Sequence, residues 1–165
     1  MKEEKDLIDQ LIIDWNIERP DLDVEAMNVV GRIMKLGKIL ENRTSLALKE
    51  NGIYYTDLDV LATLRRSGFP YQLSPKQLMQ SVVITSGAMT ALLNRLTKLE
   101  LIYRAPDEND GRISLAALTE KGKEIIDDAI EKRFEEAKIS IDILNKNEKN
   151  ELSTLLKKIL IELDK

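Results

Sequence analysis

The side chains that most often carry out chemistry in proteins are scarce in this sequence. Its 165 residues include no cysteine and no histidine, which removes disulfides, thiolate metal sites and the commonest general base. Two pairs of acids have a spacing that suits proton transfer, Asp57 with Asp59 and Asp107 with Asp110. Both pairs fall where a helix cap or a turn needs a carboxylate. We therefore predict a protein that is not an enzyme and has no metal or cofactor.

Basic side chains are the second chemical feature, and they are concentrated in one part of the chain. Residues 63–105 hold six of them and a single acid, Glu100, so this window has a net charge of +5. The whole chain has a formal net charge of −4, and the remainder therefore carries −9. A local positive surface of this kind favours binding to DNA phosphates. The six residues are Arg65, Arg66, Lys76, Arg95, Lys98 and Arg104.

Residues 85–99 form the clearest amphipathic helix pattern inside this window. The apolar positions are Met89, Leu92, Leu93, Leu96 and Leu99. The opposite face carries Ser86, Thr90, Ala91, Asn94, Arg95 and Lys98. Short or basic side chains suit insertion into a DNA groove, because bulky or acidic ones would clash with the duplex or be repelled by it. An ordinary surface helix fits the stretch alone equally well, so the flanking elements must decide.

Two helix start signals come before this stretch. Thr56 and Asp59 have the spacing of a capping box ahead of an apolar run, which predicts a helix ending near residues 67–68. Ser74 and Gln77, with proline between them, predict a short helix ending near residue 81. A turn at residues 82–84 then leads to Thr85, the predicted N-cap of the amphipathic helix. A short helix, a tight turn and a longer helix are typical of a helix-turn-helix motif.

The flanking segments extend this motif into a larger fold. Strand-like runs at residues 100–104 and 112–118 surround a loop of turn formers and predict a β-hairpin, the wing of a winged helix. Residues 1–19 and 23–49 have helical patterns, and Thr119 and Asn145 are predicted caps of two more helices. Long helices at both ends of a chain often form the interface of a dimer.

We therefore predict a mainly α fold with a small β-wing, a winged helix-turn-helix with long N- and C-terminal dimerisation helices. The predicted order is α-α-α-α-α-β-β-α-α, with one small strand near residues 71–73. Residues 1–165 are predicted to form one domain, in which 53–118 bind DNA and 1–50 and 119–165 dimerise.

The segment after the amphipathic helix resembles the MarR family of bacterial and archaeal transcription regulators. The family pattern there is G-L-V-x-R, D-x-R-D-x-R and L-T-x-x-G. This sequence keeps Asp107, Asp110, Arg112, Leu118, Thr119 and Gly122. It departs from the pattern at Asn109, where the first wing arginine is expected, and at Glu100, which replaces a glycine.

Upstream residues resemble the PecS/HucR subgroup of that family, which adds an N-terminal helix and includes urate-responsive repressors. The matching segments are Arg19–Asp23, Asp59–Gly68, Tyr71–Pro75 and Thr85–Thr90, together with Trp15. The resemblance implies a homodimer on double-stranded operator DNA, with recognition helices ~34 Å apart in successive major grooves.

On this resemblance we expect defined DNA contacts. Ser86, Gly87 and Thr90 are expected nearest the base edges, and Arg112 in the minor groove or paired with Asp110. Residues on both helices of the motif are expected at backbone phosphates. These are Ser74, Lys76, Gln77, Asn94 and Arg95. Thr85 is also expected to contact DNA, and both Ser74 and Thr85 cap helices.

The subgroup also implies an effector site for a small planar anion, either urate or another purine or phenolic acid. Matching positions are Trp15, Asp59, Arg66 and Arg104. An indole stacks on a flat ring, and guanidinium groups bind its anionic edge. Leu92 stands where a further arginine is expected, which weakens the match to urate. Asp59 as a helix cap and Trp15 as a dimer-core anchor are the structural alternatives.

The sequence also predicts the cellular location and leaves one alternative function open. Without a membrane-spanning run, and with an N-terminus (MKEEKDLIDQ) that lacks a signal-peptide pattern, it predicts a soluble cytoplasmic protein with no membrane partner. The alternative function is a winged-helix protein-interaction or assembly module without an effector. The basic cluster and the small side chains of residues 85–99 favour DNA.

Overall fold

A computed structural model describes residues 4–82, 85–107, 110 and 113–165. The elements in chain order are α1 (Leu7–Glu18), α2 (Glu25–Ala47), a 3-10 turn (Lys49–Asn51), α3 (Tyr55–Arg66), β1 (Gln72–Leu73), α4 (Pro75–Ser81), α5 (Ser86–Lys98), β2 (Ile102–Pro106), β3 (Ser114–Leu118), α6 (Glu120–Ser140) and α7 (Lys146–Leu163). This order confirms the predicted fold class, including the small strand before α4. None of the helices described is long and apolar enough to cross a membrane.

The chain divides into two compact units, residues 1–43 and residues 44–165. In the first unit, α1 begins with a capping box in which Asp6 accepts hydrogen bonds from the Ile8 and Asp9 amides (2.7 and 3.0 Å). Arg32 of α2 donates to both carboxylates, at 2.8 Å for Asp6 and 2.7 Å for Asp9. These amide and guanidinium hydrogen bonds lower the pKa of Asp6. The two helices are thus joined at the start of α1.

The core of the second unit lies where α3, α4, α5, α6 and the sheet meet. Its fully buried side chains come from each of these elements and include Leu61, Leu64, Leu78, Leu96, Ile102 and Ile126. The sheet is antiparallel with the order β1-β3-β2, so β3 is the central strand. Ala116 and Ala117 of β3 are completely buried. The core therefore fixes the wing strands and the helix-turn-helix in one body.

The start of α3 differs from the prediction. The helix begins at Tyr55, and Asp57 in its first turn accepts a hydrogen bond from the Tyr54 amide at 2.8 Å. Thr56 is therefore inside the helix and Asp59 is beyond the capping position, so the predicted Thr56–Asp59 capping box is wrong. The reason is tertiary, because the Asp57 carboxylate is fully buried and also paired with Arg95.

The start of α6 packs directly on the residues that leave α5. Thr119 caps α6 by accepting from the Gly122 amide (2.9 Å), and its hydroxyl donates to the Glu100 carbonyl (2.7 Å). A Cβ at Gly122 would lie 1.9 Å from the carbonyl oxygen of Leu101. The L-T-x-x-G segment thus packs the start of α6 against the backbone that follows α5. Only glycine at position 122 allows this close approach.

Candidate nucleic-acid interface

The α4 and α5 helices have one buried face and one exposed face each. Leu78 of α4 is completely buried, as are Met89, Leu93 and Leu96 of α5, while Leu92 is half-buried against the same core. The predicted apolar stripe of α5 is therefore the side that packs inward. The helix bounds also match the predicted helix-turn-helix, except that residues 83–84 of the turn lie outside the described residues.

The outer face of α5 carries only small side chains in its first turns. Ser86, Gly87, Thr90 and Asn94 are all exposed. Thr85 caps the helix by accepting a hydrogen bond from the Ala88 amide at 3.3 Å. The Thr90 hydroxyl donates to the Ser86 carbonyl at 3.1 Å, which fixes its orientation on the helix surface. This leaves a shallow polar surface at the positive end of the α5 dipole, which suits close approach of an anionic partner.

Gly87 is not required by the fold. A Cβ built on it would meet no atom within 4 Å, and its φ angle lies outside the left-handed region. Gly87 therefore leaves the surface open at the start of α5, where a partner could approach the backbone closely.

The polar side chains at the start of α4 have two roles, helix capping and an exposed positive charge. Gln77 accepts hydrogen bonds from the Ser74 amide (2.8 Å) and hydroxyl (2.9 Å), so both polar side chains are used in the predicted capping box. Lys76 lies between them and is exposed. Ser74, Lys76 and Gln77 are all predicted to contact phosphates. Lys76 is the one that carries a charge, and it is exposed to solvent.

Two of the six clustered cations are paired inside the fold. Arg65 donates to both carboxylate oxygens of Asp127 (2.7 and 3.2 Å), and these hydrogen bonds raise the pKa of Arg65. Arg95 pairs with Asp57. Both acidic partners lie outside residues 63–105, which is why the charge of that window overstates the positive surface. The remaining cations are exposed and comprise Arg66, Lys76, Lys98 and Arg104.

The wing is described at its two strands and at part of its loop. The Asp110 amide donates to the Asp107 carboxylate at 3.0 Å, and the Asp107 amide donates to the Ile113 carbonyl at 3.0 Å. These bonds close the end of the hairpin. Arg112 lies outside the described residues, so its contact with the minor groove and its pairing with Asp110 stay predictions.

One of the predicted effector residues lines a cavity of about 320 Å³ between α3 and α6. That residue is Arg66. The other lining residues are Ala62, Arg65 (which is paired with Asp127), Ile126, Ile130 and Phe134. Asp59 and Arg104 do not line it, although Asp59 is half-buried on the same helix. Trp15 belongs to the first unit and is 53% exposed, beside an apolar groove of that unit.

Sequence reasoning did not identify Phe134 or Arg65 as residues of this cavity. Ile126, Ile130 and Phe134 recur every four residues on α6, which was a visible signal for one face of a helix. That Phe134 remains 71% exposed at the edge of this cavity became visible only in the structure.

Comparisons with known proteins agree on one family. Residues 51–113, which include α3, the helix-turn-helix and β2 and end just before β3, match the MarR family. The transcriptional regulator PecS of Dickeya dadantii is 30% identical over 152 residues, which covers 92% of this chain and 92% of that protein.

Two solved structures share the fold at lower identity. A cysteine-to-serine variant of E. coli MarR in complex with operator DNA superposes with a TM-score of 0.72 at 23% identity, covering 94% of this chain and 99% of that chain. BpsR of Bordetella bronchiseptica, whose DNA binding is regulated by 6-hydroxynicotinic acid, superposes with a TM-score of 0.71 at 18% identity, covering 79% of this chain and 91% of that chain.

Proposed function

Because this chain belongs to the MarR family of DNA-binding transcriptional regulators, we propose that it is a homodimeric repressor released from its operator by a small planar anion. The observation that carries the proposal is the outer face of α5, where exposed Ser86, Gly87 and Thr90 present no bulky or acidic side chain. Such a face enters a major groove closely enough for Ser86 and Thr90 to reach base edges. We expect the exposed side chains of Lys76 and Asn94 to contact backbone phosphates.

A matched pair of threonines tests this assignment on one helix. Thr90 and Thr97 are both exposed on α5, and each hydroxyl donates to the carbonyl four residues earlier (3.1 and 2.9 Å). We expect Thr90→Ala to weaken operator binding by about 1–3 kcal/mol if it removes a base contact, and Thr97→Ala to leave it unchanged. Mobility shifts with the intergenic DNA beside the gene, and thermal unfolding of both variants, supply the measurement. Equal operator affinity in the two variants would remove Thr90 from the interface.

The homodimer is supported by the C-terminal helix. None of the 18 residues of α7 is buried, yet large apolar side chains lie along it at helical spacing. They are Leu152, Leu155, Leu156, Ile159, Leu160 and Leu163. An apolar stripe of this length exposed to water marks an interaction surface. A second copy of the chain is the partner that gives two α5 helices for two successive grooves.

The effector proposal rests on the cavity between α3 and α6. Its walls are mainly apolar, and the charged group of Arg66 has no hydrogen bond or ion pair among the residues that the structure describes. An apolar slot with an unpaired guanidinium fits a flat organic anion. The regulation of BpsR by an aromatic acid gives this ligand class a precedent within the same fold. Leu92 of α5 stands where the subgroup has an arginine. Because its side chain packs against the core, α5 supplies no arginine from this position to the site.

Thermal-shift measurements against urate, xanthine, salicylate and 6-hydroxynicotinate test the effector. A bound compound should raise the unfolding temperature with its concentration and should release the operator in the mobility shift. Arg66→Gln should abolish both effects, because it removes the cation that has no partner among the described residues. If no compound stabilises the wild-type chain, the effector proposal fails while the DNA-binding function stands.

A further inference from the structure

Arg95 is a cation of α5 that is committed inside the fold. Its Nη1 atom pairs with Oδ2 of Asp57, which lies in the first turn of α3. Its guanidinium carbon also lies 4.2 Å from the centre of the Tyr54 ring. Only 33% of the Arg95 side chain is exposed. Lys98, one turn later on α5, makes no hydrogen bond or ion pair within the part of the chain that the structure describes. The two basic residues of α5 are thus used differently.

Asp57 depends on this pairing. Its side chain is fully buried, and its Oδ2 also accepts the Tyr54 amide at 2.8 Å. Its other oxygen, Oδ1, has no hydrogen-bond partner among the described residues. A buried carboxylate is tolerated only with a counter-charge, and removing that partner leaves a charge in a poorly solvating environment. Arg95 is the counter-charge that Asp57 has in this structure.

Tyr54 holds the guanidinium from a second direction. Tyr54 is 66% exposed, and its ring faces Arg95 at cation–π distance. The planar guanidinium of arginine can pair with a carboxylate and stack on a ring at once, which the ammonium group of lysine does less well. Arg95, Asp57 and Tyr54 therefore form a three-residue clamp between α5 and the start of α3.

We propose that Arg95 is a positioning residue that sets the direction of α5 through this clamp, and that it does not bind a DNA phosphate. Ser86 lies nine residues from Arg95 along α5, or about 13 Å at the rise of an α-helix. A change of about 10° in the helix direction at Arg95 would then move Ser86 by about 2 Å. That exceeds the precision of about 0.5 Å that a binding constellation needs. This inference rests on the proposed operator binding through the N-terminal half of α5.

The salt dependence of operator binding separates a positioning residue from a phosphate contact. The logarithm of the binding constant falls with the logarithm of the salt concentration, and each lost phosphate contact makes this fall less steep by about one unit of slope. We expect Arg95→Gln to weaken operator binding at least tenfold with the wild-type slope. Lys76→Gln, on exposed α4, is the control expected to lower the slope by about one. An Arg95→Gln slope reduced like that of Lys76→Gln, or an unchanged affinity, would overturn the inference.

Two further variants keep the test valid if Arg95→Gln unfolds. Tyr54→Leu leaves the ion pair intact and removes only the stacked ring, and it should lower affinity several-fold with an unchanged slope. The double variant Asp57→Asn with Arg95→Gln removes both charges, so its unfolding temperature should exceed that of Arg95→Gln alone. Its operator affinity should stay low, because the clamp is still absent. Recovery of wild-type affinity in the double variant would show that Arg95 only neutralises Asp57, and would overturn the positioning role.

The failure of this inference is distinct from the failure of the proposed function. A wild-type chain that binds no operator contradicts the proposed function itself. A wild-type chain that binds, beside Arg95→Gln and Tyr54→Leu variants that bind equally well, contradicts the clamp alone.

Discussion

At the scale of single residues, Glu100 and Gly122 show how the end of α5 is fixed. Glu100 has a φ angle of +60°, in the left-handed region that glycine adopts most easily. Its amide donates to the Thr97 carbonyl at 3.0 Å, and its own carbonyl accepts from Thr119. The backbone therefore keeps the conformation of a glycine although the residue is glutamate. This explains physically why the family pattern has glycine here.

Glu100→Gly should stabilise the protein. It relieves about 1–2 kcal/mol of left-handed strain, from which the entropy of the more flexible unfolded chain subtracts about 0.5–1 kcal/mol. It also removes an acid from the negative end of the α5 dipole, and its partner Lys121 is a weak one, 3.6 Å away and exposed. We expect the free energy of unfolding in urea to rise by about 1 kcal/mol. Glu100→Ala is the control, since it removes the acid but keeps the strain. Equal stability of the two variants would contradict the explanation.

At the scale of elements, a polar network joins the 3-10 turn to α6. Asp128 of α6 accepts from Asn51 at 2.6 Å and pairs with Lys132 at 2.9 Å. The bonds from Lys132 and then Asn51 lower the pKa of Asp128, and the Asp128 carboxylate raises the pKa of Lys132. The turn after α2 is thereby held against α6 by a hydrogen bond to a charged carboxylate.

The direction of these pKa shifts predicts that folding stability falls at acid pH. An acid whose pKa is lowered in the folded state adds stability above its ordinary pKa and loses it as the pH falls through the folded pKa. Lys132 behaves in the opposite sense, so its contribution is lost only at alkaline pH. Thermal unfolding between neutral pH and about pH 2 should therefore show a smaller acid-dependent loss in Asp128→Asn than in the wild type. Asp142→Asn is the control, as its side chain has no hydrogen bond or ion pair among the described residues. An equal loss of unfolding temperature at acid pH in the wild type and in Asp128→Asn would contradict this role.

The sequence predicted local features of these elements better than their contacts. Helix starts at Ser74, Thr85, Thr119 and Asn145 are all confirmed, because a cap is specified within four residues of chain. The start of α3 was missed because Asp57 is fixed by Arg95, which lies 38 residues away.

The candidate site was predictable to a similar extent. The exposed polar face of α5 followed from its periodicity, whereas the pairing of Arg65 with Asp127 and the cavity beside Phe134 depend on how α3 packs on α6. Packing of that kind is set by many side chains together and leaves no short signal in the sequence.

At the scale of the whole molecule, binding to two successive grooves needs two copies of the chain. We predict that light scattering gives twice the mass of one chain, because α7 leaves its apolar stripe in water otherwise. Leu160 in that stripe is 66% exposed, and Leu160→Glu should shift the mass toward that of a monomer. Thr154→Glu adds the same charge on an exposed residue outside the stripe and should leave the mass unchanged. A wild-type chain that is monomeric at every concentration would exclude the dimer.

Binding of double-stranded DNA by the outer face of α5, with Lys76 of α4 at a backbone phosphate, underlies the proposed function. The most direct test is the affinity of the wild-type chain for the intergenic DNA beside its gene, measured from about 50 to about 200 mM salt. We expect sequence-specific binding, with a binding constant whose logarithm falls linearly with the logarithm of the salt concentration and a slope set by the number of phosphates engaged. Binding that does not change with salt, or that is equal for unrelated DNA of the same length, would contradict it.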